Sequence, residues 1–371
     1  MTQLQQKFYK MTSCERRRDQ ERCRTEAKLQ ESVFHGTCTT MCPISEVQRR
    51  EEQRQLHRFE MKRGTEQERY PRADLSRTVK EYSRPAAGKD KIRACDLRPP
   101  DVLFKTVCYL VDEIVASPTL QPWTEVYSFV FDRLRSVRQD MIIQCVSGQE
   151  CVAVLERIVR FHLYASYRLC GEPLQLYDPY INNTHLQECL SRLLECYSKG
   201  QYDHQEEFQA LSLLYNLGST TTLQHALELP ESVRLSSPVQ LALEVNRAYI
   251  ERNPVRLLRL ARKLDFMQAC ALHRHLISCR KDLLMIYSHG YSSRNCRFPI
   301  QKLADLLFLD SSLALQLCQT HGIEVKGDYV VFSKTSFSES MCKELQCTQM
   351  HKLVDDKQPD NSLCSIIHGT A

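Results

Sequence analysis

Glycine and proline are scarce in this chain, at 11 and 14 of 371 residues. Low-complexity linkers are therefore few, and long helices are permitted. Long apolar runs are missing as well. The most apolar stretch, 102–116, is short and carries Lys105, Asp112 and Glu113, which excludes it as a membrane span. Residues 1–28 are charged throughout and lack the apolar segment of a secretory leader, so the expectation is a cytosolic or nuclear protein with no membrane partner. A large excess of one charge is absent too: the net charge of +5 permits nucleic-acid contact without arguing for it. Enzymatic motifs are also lacking. There is no Gly-x-x-x-x-Gly-Lys-Ser/Thr, no Gly-x-Ser-x-Gly and no His-Glu-x-x-His, and no Cys–His spacing suggests a nucleophile and its base. No catalytic residue, cofactor or metal is assigned, and the chain is read as non-enzymatic.

What is present belongs to a folded protein. Hydrophobic residues make up 42% and charged residues 26%. The length suits one large or two modest domains, at roughly 150 residues each. The 18 cysteines fall mostly at apolar helical positions, such as Cys108, Cys151, Cys189, Cys270 and Cys279, and are read as reduced core thiols.

Five segments follow one another. Residues 1–34 form a charged arm, either a solvated helix or a disordered basic segment that contacts RNA or an import receptor. Residues 35–100 hold a compact loop, a charged helix and a basic connector. The loop, His35 to Pro43, contains Cys38-x3-Cys42, which with His35 and either Cys14 or Cys23 invites a zinc reading; no second Cys-x2-Cys or His pair lies nearby to complete the set, and a packed docking loop is the expectation. The helix is expected from Ser45 to about Lys62, with Arg50, Arg54 and Arg58 on one face. The connector contains Pro71, Pro85, Gly88, Pro99 and Pro100 and either wraps a neighbouring surface or stays mobile.

Residues 101–291 read as helix after helix. Apolar stripes at the 3.6-residue period begin with Leu103, Val107, Leu110 and Ile114, and continue through Val126–Met141, Val152–Leu169, Leu186–Tyr197 and Phe208–Tyr215. Gly148, Gly171, Gly200 and Gly218 are expected to close helices. Ser237-Pro238 and Asn253-Pro254 are expected to open them. Short helices and short turns suggest an antiparallel helical-repeat stack without a strict sequence period. Residues 292–334 then change character. A helix around Ile300–Leu307, a second capped by Asp310 and ending at His321-Gly322, and a hairpin turning at Lys326-Gly327-Asp328 have the layout of a winged helix. The tail, 335–371, offers one more helix near 341–353 and a polar end expected to be mobile. The fold class is thus all-α, a helical-repeat superhelix followed by a small winged-helix α/β module.

The basic residues allow two readings. Arg133, Arg135 and Arg138 either pair with Asp132 and Asp140 to tie helices together or form a nucleic-acid stripe, and Arg157, Arg160 and His162 face the same choice. Around the winged helix, Arg294, Arg297, Lys302, Lys326 and Lys334 form the preferred phosphate-contacting or partner-binding patch. The His273-Arg274-His275 run with Arg280-Lys281 reads as a wet helix face.

Several ordered blocks carry a family resemblance. Gly36-Thr37-Cys38-Thr39-Thr40-Met41-Cys42-Pro43, with Glu46, Arg49, Leu56, Phe59 and Glu60, opens it. Val79-Lys80-Glu81-Tyr82-Ser83-Arg84-Pro85, Leu97-Arg98-Pro99-Pro100, Phe131-Asp132-Arg133-Leu134-Arg135-Ser136-Val137-Arg138-Gln139-Asp140, Glu156-Arg157-Ile158-Val159-Arg160-Phe161-His162 and Asn182-Asn183-Thr184-His185 follow. From His35 to Phe332 the chain resembles the Sac-three/GANP family, departing from it at Thr40, where the family usually has an acid. The resemblance implies a PCI-type helical stack capped by a winged helix, which docks a second PCI-type subunit. It also implies a small acidic polypeptide of the proteasome-lid type and a joint surface for RNA or DNA. The chain most resembles the family's short members, which lack nuclear-pore-binding repeats. That implies a scaffold acting in centrosome duplication and mitosis, with centrosomal or spindle partners, in the cytoplasm and at the centrosome and spindle. The rival implication is a nuclear, nucleic-acid-binding subunit of an mRNA-export complex at the nuclear pore.

Overall fold

A computed structural model of the chain describes residues 35–84, 93–293, 295–339, 352–359 and 363–370. The charged arm 1–34, Pro85 and Gly88 of the connector, Arg294, and residues 341–351 of the expected last helix lie outside the described residues. The described residues are predominantly helical, with one small three-stranded sheet among them, in keeping with the all-α class. They form two compact units. One draws its described residues from Met1–Thr106 with Asp132–Val146, and the other from Val107–Phe131 with Ser147–Ala371.

In the first unit, helix α1 (Ile44–Glu52) is shorter than its charge pattern suggests. Arg54 adopts a left-handed conformation (φ 56°), and the chain resumes as a 3-10 turn over Arg58–Glu60. The expected face of Arg50, Arg54 and Arg58 therefore does not exist. Breaking the helix buries Leu56, Phe59 and Glu60 and leaves Arg54 and Arg58 exposed. His57 Nδ1 accepts from Phe59 N, and Glu60 reaches back to His57 N, so a capping box holds the turn. Helix α2 (Pro100–Tyr109) follows, belonging to this unit as far as Thr106, and the π-helical turn after it, Leu110–Val115, belongs to the second. Helix α3 (Trp123–Ile143) supplies residues 132–143 to the first unit. It is closed by Cys145 in the left-handed region (φ 51°), with Val146 N donating to Met141 O and Cys145 N to Ile142 O. This is a Schellman closure on a non-glycine residue. Gly148, expected in that role, instead opens the next helix.

The second unit is built from α4 (Gly148–Arg168), α5 (Pro179–Tyr197), α6 (Gln205–Tyr215), α7 (Thr220–Leu227), α8 (Glu231–Arg234), α9 (Ser237–Ile250), α10 (Pro254–Ala261) and α11 (Phe266–Gly290). α4 packs on α5 and α11, α6 on α9 and α11, and α10 on both α9 and α11. The predicted stripes form this core: Leu155, Val159, Leu186, Leu193, Leu211 and Leu214 are buried. Buried amides pin the stack. Asn246 of α9 donates to Leu213 O of α6 and accepts from Gly218 N, and Asn182 of α5 bonds His162 and Tyr127. Gly218 does take a positive φ (79°), but three residues beyond α6; Gly171 and Gly200 lie in turns outside the left-handed region. Asn253 caps α10 as expected, accepting from Arg256 N at 3.0 Å. Ser237 does not cap α9: Ser236 precedes the helix and its hydroxyl donates back to Val233 O.

The reading of 273–281 as a wet face is overturned. His273 is buried edge-on against Tyr167, and His275 Nε2 lies 2.9 Å from Tyr215 O, where burial lowers its pKa. Arg280 is fully buried. Its Nε donates to Leu307 O at 2.8 Å and its Nη2 to Phe308 O at 3.3 Å, so it satisfies carbonyls at the end of the next helix. Only Arg274 of the run is exposed, over the Tyr215 ring.

A small module follows: β1 (Phe298–Pro299), α12 (Ile300–Leu307), α13 (Ser311–Thr320), β2 (Glu324–Lys326) and β3 (Tyr329–Val331). The hairpin pairs Lys326 with Tyr329 across Gly327-Asp328, Gly327 supplying the positive φ (57°) that a two-residue turn needs. β1 was not foreseen. It pairs antiparallel with β3, making the order β1-β3-β2, and at two residues with a proline it leaves no periodicity to read. Gly322 (φ 69°) closes α13, with Ile323 N donating to Cys318 O. Asp310 precedes α13 but makes no side-chain cap; it pairs with Lys352 at 2.7 Å.

The tail departs from its expected mobility wherever it is described. Leu353, Val354, Ile366 and Ile367 are buried, and α14 (Leu363–His368) packs on α4 and on the π-helical turn. Tyr167 Oη donates to Asp355 at 2.7 Å. Lys357 Nζ donates to Ala261 O and Leu264 O at 2.6 and 2.9 Å, and burial pulls its pKa from 10.5 to about 8. Between those two values the unfolded chain holds a proton that the folded chain has released, so this group's contribution to stability rises with pH across that window. The stability advantage of the parent chain over Lys357→Met, measured by urea unfolding, is expected to grow as pH rises from below 8 towards 10.5. A difference that shrinks with pH would contradict it.

Candidate functional site

In the first unit, two buried charge clusters organise the signature blocks. Glu60 is fully buried. Its Oε2 accepts from Arg50 Nη2 and from Arg133 Nη2 (3.1 Å), and its Oε1 from Val79 N (2.9 Å). Arg50, also fully buried, donates Nη1 to Val79 O (3.1 Å) and faces Glu81 and Glu46 at 3.5 and 3.8 Å. Glu46 accepts from Glu81 N at 2.9 Å, and desolvation raises its pKa. Arg133 also donates to Asp132, whose carboxylate accepts from Tyr82 N.

The second cluster is centred on Asp140, again fully buried, which accepts from Arg98 Nε (2.8 Å) and Lys80 Nζ (2.7 Å). Arg98 spreads its remaining donors to Ser136 Oγ (2.9 Å) and Met41 O (3.3 Å). Gln144 then joins the two ends: its Nε2 donates to Arg98 O, and its Oε1 accepts from Gly36 N at 2.8 Å. A Cβ on Gly36 would lie 2.4 Å from Leu97 O and 2.9 Å from Gln144 Oε1, so the loop approaches this closely only with glycine.

The segment from Asp132 to Gln144 is therefore a rail to which the loop and connector are fastened, Arg135 stacking over Tyr82 at 3.9 Å and Gln139 donating to Ser83 O. The ion-pair reading holds for Arg133, which pairs with Asp132 as expected and also with Glu60, whereas Arg135 stacks on Tyr82. Asp140 engages Arg98 and Lys80, and Arg133 engages Glu60, residues that local spacing could not nominate. Arg160 is likewise buried, bidentate to Glu207 at 2.8 and 2.6 Å, and His162 bonds Asn182. Both are interior anchors.

Among the described residues the signature loop brings no metal-ligand set together, and Cys14 and Cys23 lie outside them. Cys38 and Cys42 are buried and His35 is exposed. The Cys38 thiol donates to Thr40 O (3.2 Å), and burial pushes the Cys42 thiol well up. Thr40 Oγ1 donates to Cys42 O at 2.7 Å, so a hydroxyl closes the loop. Met41 contributes its carbonyl to Lys80 N and Arg98, and buried Pro43 immediately precedes α1.

Among the described residues, metal-ligand donors instead come together at Asp112, Cys364 and His368, which sequence spacing could not join. Asp112 Oδ1 lies 2.7 Å from Cys364 Sγ and 2.8 Å from His368 Nε2. Arg157 Nε–H donates to His368 Nδ1 at 2.9 Å. That donor keeps the lone pair on Nδ1 and the proton on Nε2, directed at Asp112, whereas a metal-bound imidazole needs an acceptor behind it. The Cys364 thiol is pushed up to about 11, first by burial and then by Asp112, and keeps its proton. The cluster is a hydrogen-bonded clasp for α14.

The predicted basic patch lies on the small module. Arg297, Lys302, Lys326 and Lys334 are all exposed; Arg294 is outside the described residues. Arg297 directly precedes β1, Lys326 ends β2, and Lys334 lies three residues beyond β3, its backbone N bonded to Ser292 Oγ. Lys302 lies over the Phe298 ring at 5.9 Å. Lys326 pairs with Glu324 at 3.0 Å, and Arg297, Lys302 and Lys334 have no acidic partner among the described residues. Tyr329, 43% exposed, is flanked in the sheet by Pro299 and Lys326.

A family model described as the SAC3/GANP family matches residues 41–327. Similar curated proteins include SAC3 family protein 1 of Schizosaccharomyces pombe (30% identical, 92% of this chain and 36% of that protein). SAC3 family protein B of Arabidopsis thaliana is 28% identical over 81% of this chain and 18% of its own length. Protein xmas of Drosophila melanogaster is 28% identical over 90% and 16%. The chain thus spans about a third or less of these relatives.

Two substitutions probe the fastening. Glu60→Gln leaves two buried guanidiniums short of their counter-charge and is expected to destabilise the fold by about 3–5 kcal/mol. Gly36→Ala is expected to destabilise it by roughly 1–3 kcal/mol through overpacking. Urea unfolding of each variant checks both, and a change near zero in either would contradict the assignment.

Proposed function

This chain belongs to the SAC3/GANP family, and on that premise we propose that it is a non-enzymatic docking scaffold acting in centrosome duplication and mitosis. The reading takes residues 101–291 as a PCI-type helical stack and 292–334 as a winged helix. In its support, a short strand precedes two helices and a hairpin, and the strand pairs with the second arm of that hairpin. One observation carries the scaffold reading. Within the signature blocks, Glu60, Arg98, Arg133 and Asp140 are buried in ion pairs with one another or with the buried Arg50, and Arg160 is buried against Glu207. Buried charges neutralised by one another tie the segments that carry them together. The partners proposed from the family resemblance are a second PCI-type subunit, a small acidic polypeptide, and centrosomal or spindle proteins, in the cytoplasm and at the centrosome and spindle.

A second reading, a nucleic-acid-binding subunit of an mRNA-export complex in the nucleus, is favoured by the exposed cations of the small module. Lysine and arginine there would contact phosphates without reading sequence.

Affinity purification of the full chain from mitotic cells is expected to recover centrosomal or spindle proteins. Recovery is expected to fall when Arg297, Lys302, Lys326 and Lys334 are together replaced by Glu, all four being exposed so that the fold is retained. Purified chain titrated with single-stranded RNA at several salt concentrations tests the second reading. Four phosphate contacts predict a slope of log affinity on log salt of about −3, flattened in the same variant. Absence of RNA binding at low salt removes that reading, and absence of mitotic partners removes the first.

A further inference from the structure

We propose that Cys151 and Cys196 form a modification site, a dithiol that a peroxide converts to a disulfide joining α4 to α5. Cys151 stands in the first turn of α4 and Cys196 one residue before the end of α5, and these two helices pack against each other. Their sulfurs lie 3.9 Å apart. Cys151 is fully buried and Cys196 half-buried, so a small oxidant reaches the second first. Arg192 stands one helical turn before Cys196, and its positive charge favours thiolate at both sulfurs.

The electrostatics separate the two roles. Cys196 Sγ donates to Cys151 Sγ while both are thiols. Once Cys196 ionises, the Cys151 thiol is the donor that stabilises the thiolate, which draws the Cys196 thiol down to about 7 against the effect of burial, with Arg192 adding to the fall, while the Cys151 thiol rises. Cys42, Cys279 and Cys318 are instead pushed up by burial. Reactivity follows thiolate fraction and access, so Cys196 is the attacking sulfur and Cys151 the resolving one.

The step balances with hydrogen peroxide as oxidant. The Cys196 thiolate attacks one peroxide oxygen; an S–O bond forms, the O–O bond breaks, and the departing hydroxide leaves as water once protonated. Cys151 then attacks the Cys196 sulfur. The S–S bond forms, the S–O bond breaks, and the hydroxyl leaves as a second water with the proton from Cys151. Two thiols lose two electrons, and one peroxide becomes two waters. The bond would close a loop between residues 151 and 196, removing freedom from the unfolded chain.

The native full chain is titrated with hydrogen peroxide, remaining thiols are blocked, and the digest is read by mass spectrometry without reduction. A peptide linking Cys151 to Cys196 is expected as the first disulfide. It should be abolished in Cys196→Ser and Cys151→Ser, and its rate of formation should rise with pH through a midpoint near 7. Arg192→Gln is expected to slow it several-fold, and the oxidised chain to melt a few degrees higher, reversibly with dithiothreitol. Cys196→Ser, at the half-buried position, serves should Cys151→Ser fail to fold. The proposal is overturned if other cysteine pairs link first, or if Cys196 is carried to sulfinic or sulfonic acid without a link. It is equally overturned if Cys196→Ser leaves the pattern of disulfides unchanged.

Discussion

The first unit depends on the burial of one carboxylate. Glu60 has no contact with solvent, and a lone buried carboxylate would be too expensive to keep ionised. It remains in place because Arg50 reaches it from α1, Arg133 from the middle of α3, and the amide of Val79 from the connector. Each of those three pieces is thereby obliged to be where it is. The left-handed Arg54 that ends α1 belongs to the same constraint, since the chain must turn there for Glu60 to face Arg50. A buried ion pair of this kind need not add stability relative to an apolar core. What it supplies is intolerance of any arrangement in which one partner is missing.

Asp140 repeats the device a short way along the same helix, with Arg98 and Lys80 as its cations and Gln144 carrying the contact on to Gly36. Extended segments without secondary structure of their own must satisfy their backbone groups elsewhere. Here they do so on a helix whose polar side is used nearly residue by residue, through Asp132, Arg135, Ser136, Gln139, Asp140 and Gln144. The block Phe131–Asp140, the most specific part of the family resemblance, is thus explained as a fastening rail. In the second unit the same economy appears at Arg160 with Glu207 and at Arg280 with the carbonyls of Leu307 and Phe308. Guanidinium groups are suited to this because a planar fork satisfies two acceptors at once. Arg297 and Lys302, by contrast, remain exposed.

Much of the helical order was legible in the chain. The stripes of α3 to α6, the Asn253 cap, the hairpin about Gly327 and the Gly322 closure all rest on the spacing of residues within a turn or two. The misreadings share a cause. The charged helix after Ser45 had good helical spacing but needed to break so that Glu60 could be buried. The run around His273 looked wet because its neighbours in sequence are charged, yet Tyr167 and Tyr215 cover two of its histidines. The tail looked polar, yet four apolar side chains in it find a surface to cover them.

By itself, then, the amino-acid order determined which stretches are amphipathic helices, where several of them start and stop, and which family the blocks resemble. These are local properties, set by the 3.6-residue period and by caps a few residues wide. Only the tertiary structure decided which charges are interior, which partners they hold, and which thiols stand together. Arg133 and Glu60 lie 73 positions apart, and Cys151 and Cys196 lie 45 apart. Whether a side chain at such a distance becomes a neighbour depends on the path of the backbone between, and desolvation then acts on the group according to that neighbour.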